Sequence, residues 1–363
     1  MTGRRVAVVA TAQTDYTLGD PTVTAPEMIF DVTHRAVAAS GLDRADIDVT
    51  MSGSSDFLDG RSFGFVFGLE AVGAWPPIHE SHVEQDGAWA AWYAWLKLLS
   101  GEADTALVFS WGTTSEGSRH HVLNSQLDPF TLAPLGLDGV TSAALQADAW
   151  MARTGAGIGA LDGAAERARE HGERNPRLRG VTRTLEPDVE VATPLWGRHI
   201  APGADGACAI VLAVADVANG LTDRPAWIAG AAQRSETGAL GHRDLSRLDA
   251  ATTAAASARA RAGWDGDGQP TDVAELSAPF AHQVPMLVEA MGLDVHTMID
   301  PSGGALAADA MMVSGLARLA AAAEQVRGNA GPTQVEGARR AVAHASAGHA
   351  LQQHVVWCLE AGA

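Results

Sequence analysis

The chain has 363 residues, 47% of them hydrophobic and 19% charged, with a formal net charge of -18. That is enough apolar sequence for a large buried core, which excludes a disordered chain; the acidic balance, with no cluster of Lys and Arg, excludes a nucleic-acid footprint. No run approaches the roughly 20 apolar residues of a bilayer span, and residues 6–12 behind Arg4 and Arg5 read as a strand rather than a leader, so a cytoplasmic protein with no membrane contact is expected.

Residues 5–14 read as a first strand. Pro26 and Glu27 open an amphipathic helix that runs to about residue 39, with Gly41 as its stop. Residues 47–52 form a second strand, and a strand–helix–strand unit of this kind predicts a parallel sheet. The stretch 82–112 then reads as turn, helix, Gly loop and strand. Ala88, Ala91, Trp92, Trp95, Leu96 and Leu99 recur at helical spacing, Lys97 is the helix's only charge, and residues 106–109 form a short apolar run. A helix apolar on nearly every face belongs inside a large protein, with Trp89, Trp92, Tyr93 and Trp95 read as core rather than as a lipid-binding stack. Glu84, Gln85 and Asp86 stand at its start, where backbone N–H groups lack partners and negative charge is favoured. On local grounds Asp86 is an N-cap and Glu84 a solvated turn residue. The other reading gives Glu84 a chemical role, and it depends on the rest of the chain.

From about 113 to 198 the pattern loosens, with short helical pieces at 142–153 and 161–171; a connection of this length usually serves as a lid or binding excursion. Its Arg167, Arg169, Arg174, Arg177, Arg179 and Arg183 are either a solvated face or contacts for the phosphates of an anionic cofactor or for an acidic partner. His120 and His121 are adjacent and lack accompanying ligand spacing, so no metal site is expected. Cys208 and Cys358 lie in strand-like runs, which predicts buried thiols rather than a disulfide. After a strand at 208–215 the same grammar begins again: strand 226–232, helix 244–262, strand 273–277, turn 300–304, helix 312–326, and strands 341–345 and 354–359. Two rounds in one order suggest a duplication, in which equivalent helices meet at the centre and the loops leading into them share a cleft. The expected division is an N-terminal half at 1–118, a loop or lid insertion at 119–199, a last strand of that half at 200–218, and a C-terminal half at 219–363.

At this point the residues resemble the thiolase superfamily, in particular its actinobacterial lipid-transfer-protein and sterol-carrier-protein-X branch, over nearly the whole chain. The resemblance rests on Gly87-x-x-Ala90 followed by SGEADTALVFSWG, on DGACAIVLA from Asp205, ELSAPFAHQ from Glu275, IDPSGGALAADAMMVSGLARL from Ile299, and the C-terminal AHASAGHALQQHVVWCLE. It implies an α/β thiolase fold, two duplicated βαβαβ-type halves in a layered αβαβα arrangement with an inserted loop domain. It also implies coenzyme A as carrier of the acyl substrate, with Ser302, Gly303 and Gly304 as its contacts, and assembly as a homo- or heterodimer with a thiolase-like chain. A zinc-ribbon/OB-fold protein is the further partner that the branch suggests.

The family's catalytic residues are replaced. Its nucleophilic Cys, set at a helix start in C-x-S-G-x-x-A so that the thiolate is stabilised, falls on Glu84. The Asn of N-E-A-F-A falls on Ser277, the His of G-H-P on Asp309, and the second Cys, of C-x-G, on Ser346. A carboxylate is a poor acyl acceptor from a thioester, and Asp309 repels a developing enolate, so ordinary thiolysis or Claisen condensation is not expected. Two carboxyls in one low-dielectric cavity do supply an acid and a base. Retro-aldol cleavage of a 3-hydroxyacyl thioester asks for that pair, and some members of the lipid-transfer branch are steroid side-chain aldolases. His282, His344 and His349 lie in the matched motifs as candidate replacements for the lost His. The expectation is therefore an acyl-CoA carbon–carbon lyase of lipid or steroid metabolism that uses Glu84, Asp309, Ser277, Ser346, His282, His344 and His349. The alternative is a non-catalytic or regulatory thiolase-like subunit paired with an active one.

Overall fold

The computed structural model describes residues 3–20, 22–73, 79–179, 181, 188–265 and 269–362. The chain opens with strand β1 (Val6–Gln13) and helix α1 (Ala25–Ser40), whose Thr24 and Glu27 form a reciprocal capping box and whose Gly41 closes it in the left-handed region. Strands β2 (Val49–Gly53) and β3 (Glu80–Val83), helix α2 (Gly87–Ser100) and strand β4 (Thr105–Thr113) follow. Helices α3 (Arg119–Ser125), α4 (Gly139–Thr154) and α5 (Ile158–Arg174) then leave the sheet, and strand β5 (Asp205–Val214) returns to it. The second round comprises β6 (Ala226–Ser235), α6 (Asp249–Ala262), β7 (Val273–Leu276), α7 (Gln283–Ala290), β8 (Met298–Ile299), α8 (Ser314–Arg327), β9 (Arg340–Ala347) and β10 (Gln353–Ala361).

Among the described residues ten strands join in the order β8-β7-β9-β10-β6-β1-β5-β4-β2-β3. Counted outward from the β1/β6 seam, each half repeats the same pairing: two antiparallel contacts, then two parallel ones. The seam itself is only two residue pairs, Ala7 with Trp227 and Val8 with Ala226.

The strands are apolar on both faces, so each half-sheet is covered twice. In β5, Cys208, Ile210, Leu212 and Val214 pack in one cluster with α2 and α8, while Ala207, Ala209, Val211 and Ala213 pack with α1. In β10, Val355, Trp357 and Leu359 face α2 and α8, whereas Val356 and Cys358 pack with α6. Residues of both half-sheets thus enclose α2 and α8, with α1 outside one half and α6 outside the other. The result is an αβαβα sandwich produced by the period of two along each strand.

Two local expectations change. Helix α2 is not buried all round: Tyr93 and Leu96 are 44% and 38% exposed, with Lys97 lying over the Tyr93 ring. Strand β3 carries Glu80, Ser81 and His82, too polar a run for a pattern of apolar periodicity to reveal, and it is held in the sheet by parallel pairing with β2. No helix among the described residues is long and apolar enough to cross a membrane.

Candidate active site

The starts of α2 and α8 meet in the middle layer, and one carboxylate serves both. Asp86 is the N-cap of α2, its Oδ1 accepting from Ala88 N at 2.8 Å and Leu316 N at 3.1 Å, and its Oδ2 from Gly315 N at 2.9 Å. Helix α8 has no side-chain cap of its own, so Asp86 supplies acceptors to the orphan N–H groups of two helices. This close approach requires glycines. A Cβ on Gly315 would lie 2.4 Å from Asp86 Oδ1, and one on Gly87 would lie 2.5 Å from Ser110 Oγ. Burial pushes the Asp86 carboxyl up to about 6; nearby Asp309 adds to the rise, and the three N–H donors oppose it.

Asp86 lines a cavity of about 100 Å³, walled by Gln85, Arg119, Leu123, Ser277, Gln283, Asp309, Met312, Ser314, Ser346 and His349 among others. Asp309 faces it with one oxygen 2.9 Å from Arg119 Nη1 and the other accepting from Ser314 Oγ at 2.7 Å. The pair is mostly buried, with side-chain exposures of 18% for Arg119 and 13% for Asp309. The repulsion of an oxyanion by a bare Asp309 is thereby corrected, because Arg119 neutralises it and brings further N–H donors to the same wall. Ser346 Oγ donates to Ser277 O at 2.7 Å and lies 3.3 Å from Ser277 Oγ. Three of the non-glycine residues with positive φ, Met312 (72°), Ala350 (48°) and Leu351 (55°), sit in this wall. Backbone strain gathers at functional sites and at clamps.

The residues expected from the sequence divide. Asp309, Ser277, Ser346 and His349 share the cavity. Glu84 does not: its Oε1 accepts from Asp56 N at 2.6 Å, its Oε2 lies 3.5 Å from His82 Nε2, and its side chain is 44% exposed. The carboxylate opposite Asp309 is Asp86, two residues on, because the turn between β3 and α2 directs Glu84 onto the backbone that follows β2, at Asp56, while Asp86 caps the helix. His282 and His344 are also absent from the lining. His282 is fully buried on Gln146 Oε1 at 3.1 Å, with burial pushing it down to about 3. His344 is fully buried with its Nε2 3.0 Å from His354 Nδ1, and burial holds it well below the usual imidazole range.

Ser302, Gly303 and Gly304 are buried in a turn against the Glu275–Arg318 ion pair rather than open to coenzyme A. Ser302 Oγ bonds Glu275 Oε2 at 2.6 Å, and Asn175 holds its carbonyl. Of the arginines after residue 160, Arg177 is committed to Glu324 at 3.0 Å, and Arg183 lies outside the described residues. Cys208 and Cys358 are free, buried in β5 and β10, and neither lines the cavity. Sequence reasoning missed Arg119 and Gln283. Arg119 is a single basic residue in a loose stretch, and its pairing with Asp309 across 190 positions has no local signal.

Comparison with known proteins bears on this geometry. The family described as thiolase C-terminal domain-like matches residues 296–360, the stretch from β8 through α8 into β10. A solved structure described as "Ltp2-ChsH2(DUF35) aldolase" superposes with a TM-score of 0.82 at 18% identity, covering 98% of both chains. The fold is thiolase-like. A curated acetyl-CoA acetyltransferase of Methanothermobacter thermautotrophicus is 32% identical over 199 residues, 48% of this chain. The chain spans about half the length of that relative, 51% of it. The thiolase-like core therefore arrives with a site in which the cavity at the helix starts holds carboxylates, serines and a guanidinium. Among the described residues no group of three or more His, Cys, Asp or Glu is placed to hold a metal ion.

Proposed function

We propose that this thiolase-like chain is a carbon–carbon lyase that cleaves a 3-hydroxyacyl thioester of coenzyme A by retro-aldol chemistry, without a covalent intermediate. The carrying observation is that Asp86 and Asp309 face one cavity lined by no thiol among the described residues. Asp309, oriented by Arg119 and Ser314, takes the proton of the substrate 3-hydroxyl. The C2–C3 bond breaks, its electrons form the enolate of the shortened thioester, and an aldehyde or ketone leaves. The free N–H groups of Arg119 receive the enolate oxygen. Asp86, whose carboxyl is pushed up to about 6, gives its own proton to C2, and the proton held by Asp309 then passes across the cavity to Asp86, which restores both groups for the next turnover. A cavity of about 100 Å³ has room for the reacting carbons, and in this proposal the lipid or steroid bulk of the acyl group and the coenzyme extend beyond it.

The test is the purified protein with a series of 3-hydroxyacyl-CoA substrates, following aldehyde or ketone release. Asp309→Asn keeps an acceptor for Arg119, reverses the bond with Ser314 so that the amide donates, and removes the base, and turnover is expected to fall by about 10²–10⁴ with the KM little changed. Unchanged turnover in that variant sinks the lyase reading. One observation favours the second reading, a non-catalytic partner of an active thiolase-like chain: both Asp86 oxygens are already engaged by backbone N–H groups. In that case Asp309→Asn leaves the activity of the reconstituted complex intact. For either reading we propose assembly with a second thiolase-like chain through the outer edge of β3, the longer of the two end strands of the described sheet. A zinc-ribbon/OB-fold partner is part of the same proposal, supported by the aldolase neighbour's description together with a DUF35 protein.

A further inference from the structure

Helix α3 has seven residues, of which only Val122 is buried, against Leu58 and Met312. So short a helix has no stability of its own, and its place depends on the few contacts that reach it. Two of these come from the cavity. Arg119 pairs with Asp309 at one end. One turn on, the Leu123 carbonyl accepts from His349 Nε2 at 2.8 Å. A carbonyl can only accept, so Nε2 carries the proton and Nδ1 faces the Ser142 hydroxyl at 3.1 Å.

The segment that presents His349 is itself braced. Gly348, Ala350 and Leu351 all have positive φ, a backbone that L side chains resist, and Gln146 Nε2 holds Ala350 O at 2.9 Å while Arg243 holds His349 O. Gln146 and Ser142 lie on α4, so the imidazole is held at Nδ1 by α4 and at Nε2 by α3, while Gln146 and Arg243 hold the backbone that carries it. We propose that His349 is a positioning residue, the latch that fixes α3 and with it Arg119 over the cavity. The inference rests on the lyase reading for its effect on turnover, and it stands on the geometry alone for its effect on α3.

The latch separates two amides that mimic different ring nitrogens. In His349→Gln the amide reaches as far as Nε2 and still donates to Leu123 O; in His349→Asn it reaches only as far as Nδ1 and does not. Hydrogen–deuterium exchange at residues 122–126 is expected to quicken by about tenfold in His349→Asn and His349→Ala and to stay near native in His349→Gln. Exchange in β9 and β10 serves as the control, since general destabilisation quickens it in all three. A Cβ on Gly139 would lie 3.6 Å from Leu123 Cβ, within disulfide range, so a Leu123→Cys/Gly139→Cys pair ties α3 down when oxidised. In the His349→Asn background that oxidised pair is expected to restore slow exchange, and reduction to abolish the effect. Native exchange in the Asn variant, or equal quickening in the Gln variant, overturns the latch. With a 3-hydroxyacyl-CoA, the Asn variant is expected to lose kcat and the Gln variant to recover it. If the native protein turns nothing over, the lyase reading fails and the exchange result still decides the latch.

Discussion

Helices α2 and α8 hold matching places in the two halves, yet only α2 brings its own cap. Asp86 precedes α2 and binds Ala88 N, while at α8 the matching place is taken by Val313, which has no capping side chain. The deficit is met across the seam, by the same Asp86 on Gly315 N and Leu316 N. The duplicated fold is symmetric in its strands and asymmetric at this point. The asymmetry puts a buried carboxylate at the positive ends of two helices, facing a second carboxylate with its own guanidinium. A duplicated scaffold thus obtains a chemically distinct centre from a single side chain without disturbing the layers around it.

Removing the shared cap breaks the comparison most severely. Asp86→Ala leaves the N–H groups of Ala88, Gly315 and Leu316 without their acceptor, and we expect a loss of about 2–4 kcal/mol in denaturant unfolding. A loss no larger than that of an exposed cap would mean that α8 does not depend on the other half. A smaller effect concerns pH. The folded-state carboxyl of Asp86 is raised from 3.8 to about 6, so the folded protein holds this proton more tightly than the unfolded chain. Ionisation therefore costs stability above about pH 6, and the cost is relieved as the pH falls towards 4. Relative to Asp86→Asn, which does not titrate, the native protein is expected to gain at most about 3 kcal/mol between pH 7 and pH 4. A flat difference between the two over that range would show that the N–H donors cancel the effect of burial.

The smallest effect sharpens the contrast between Asp86 and its neighbour in sequence. Glu84→Gln keeps an acceptor for Asp56 N on the outside of the molecule, so turnover is expected to stay within about twofold of native and stability within about 0.5 kcal/mol. A large fall in turnover would return Glu84 to the site and undo the placement of Asp86 as the facing carboxylate.

The fold class was legible along the chain because its signals are local. Strands β4, β5, β9 and β10 read as apolar runs, α1 carries its capping box and closing glycine within the sequence, and the two rounds of elements repeat in order. Asp309, Ser277, Ser346 and His349 were reachable because each lies in a motif next to the element that aims it. What only the tertiary structure decided is direction and partnership across the seam. Whether Glu84 or Asp86 faces Asp309 depends on how the turn after β3 rotates into α2, a matter of two residues that composition and spacing do not distinguish. His282 and His344 lie within two residues of lining residues in sequence, yet His282 turns onto Gln146 and His344, one strand period deeper than Ser346, meets His354 away from the cavity. Arg119 meets Asp309, and His349 meets Leu123, only because the segment between β4 and β5 folds back over the helix starts, and no local pattern encodes a contact between segments that far apart.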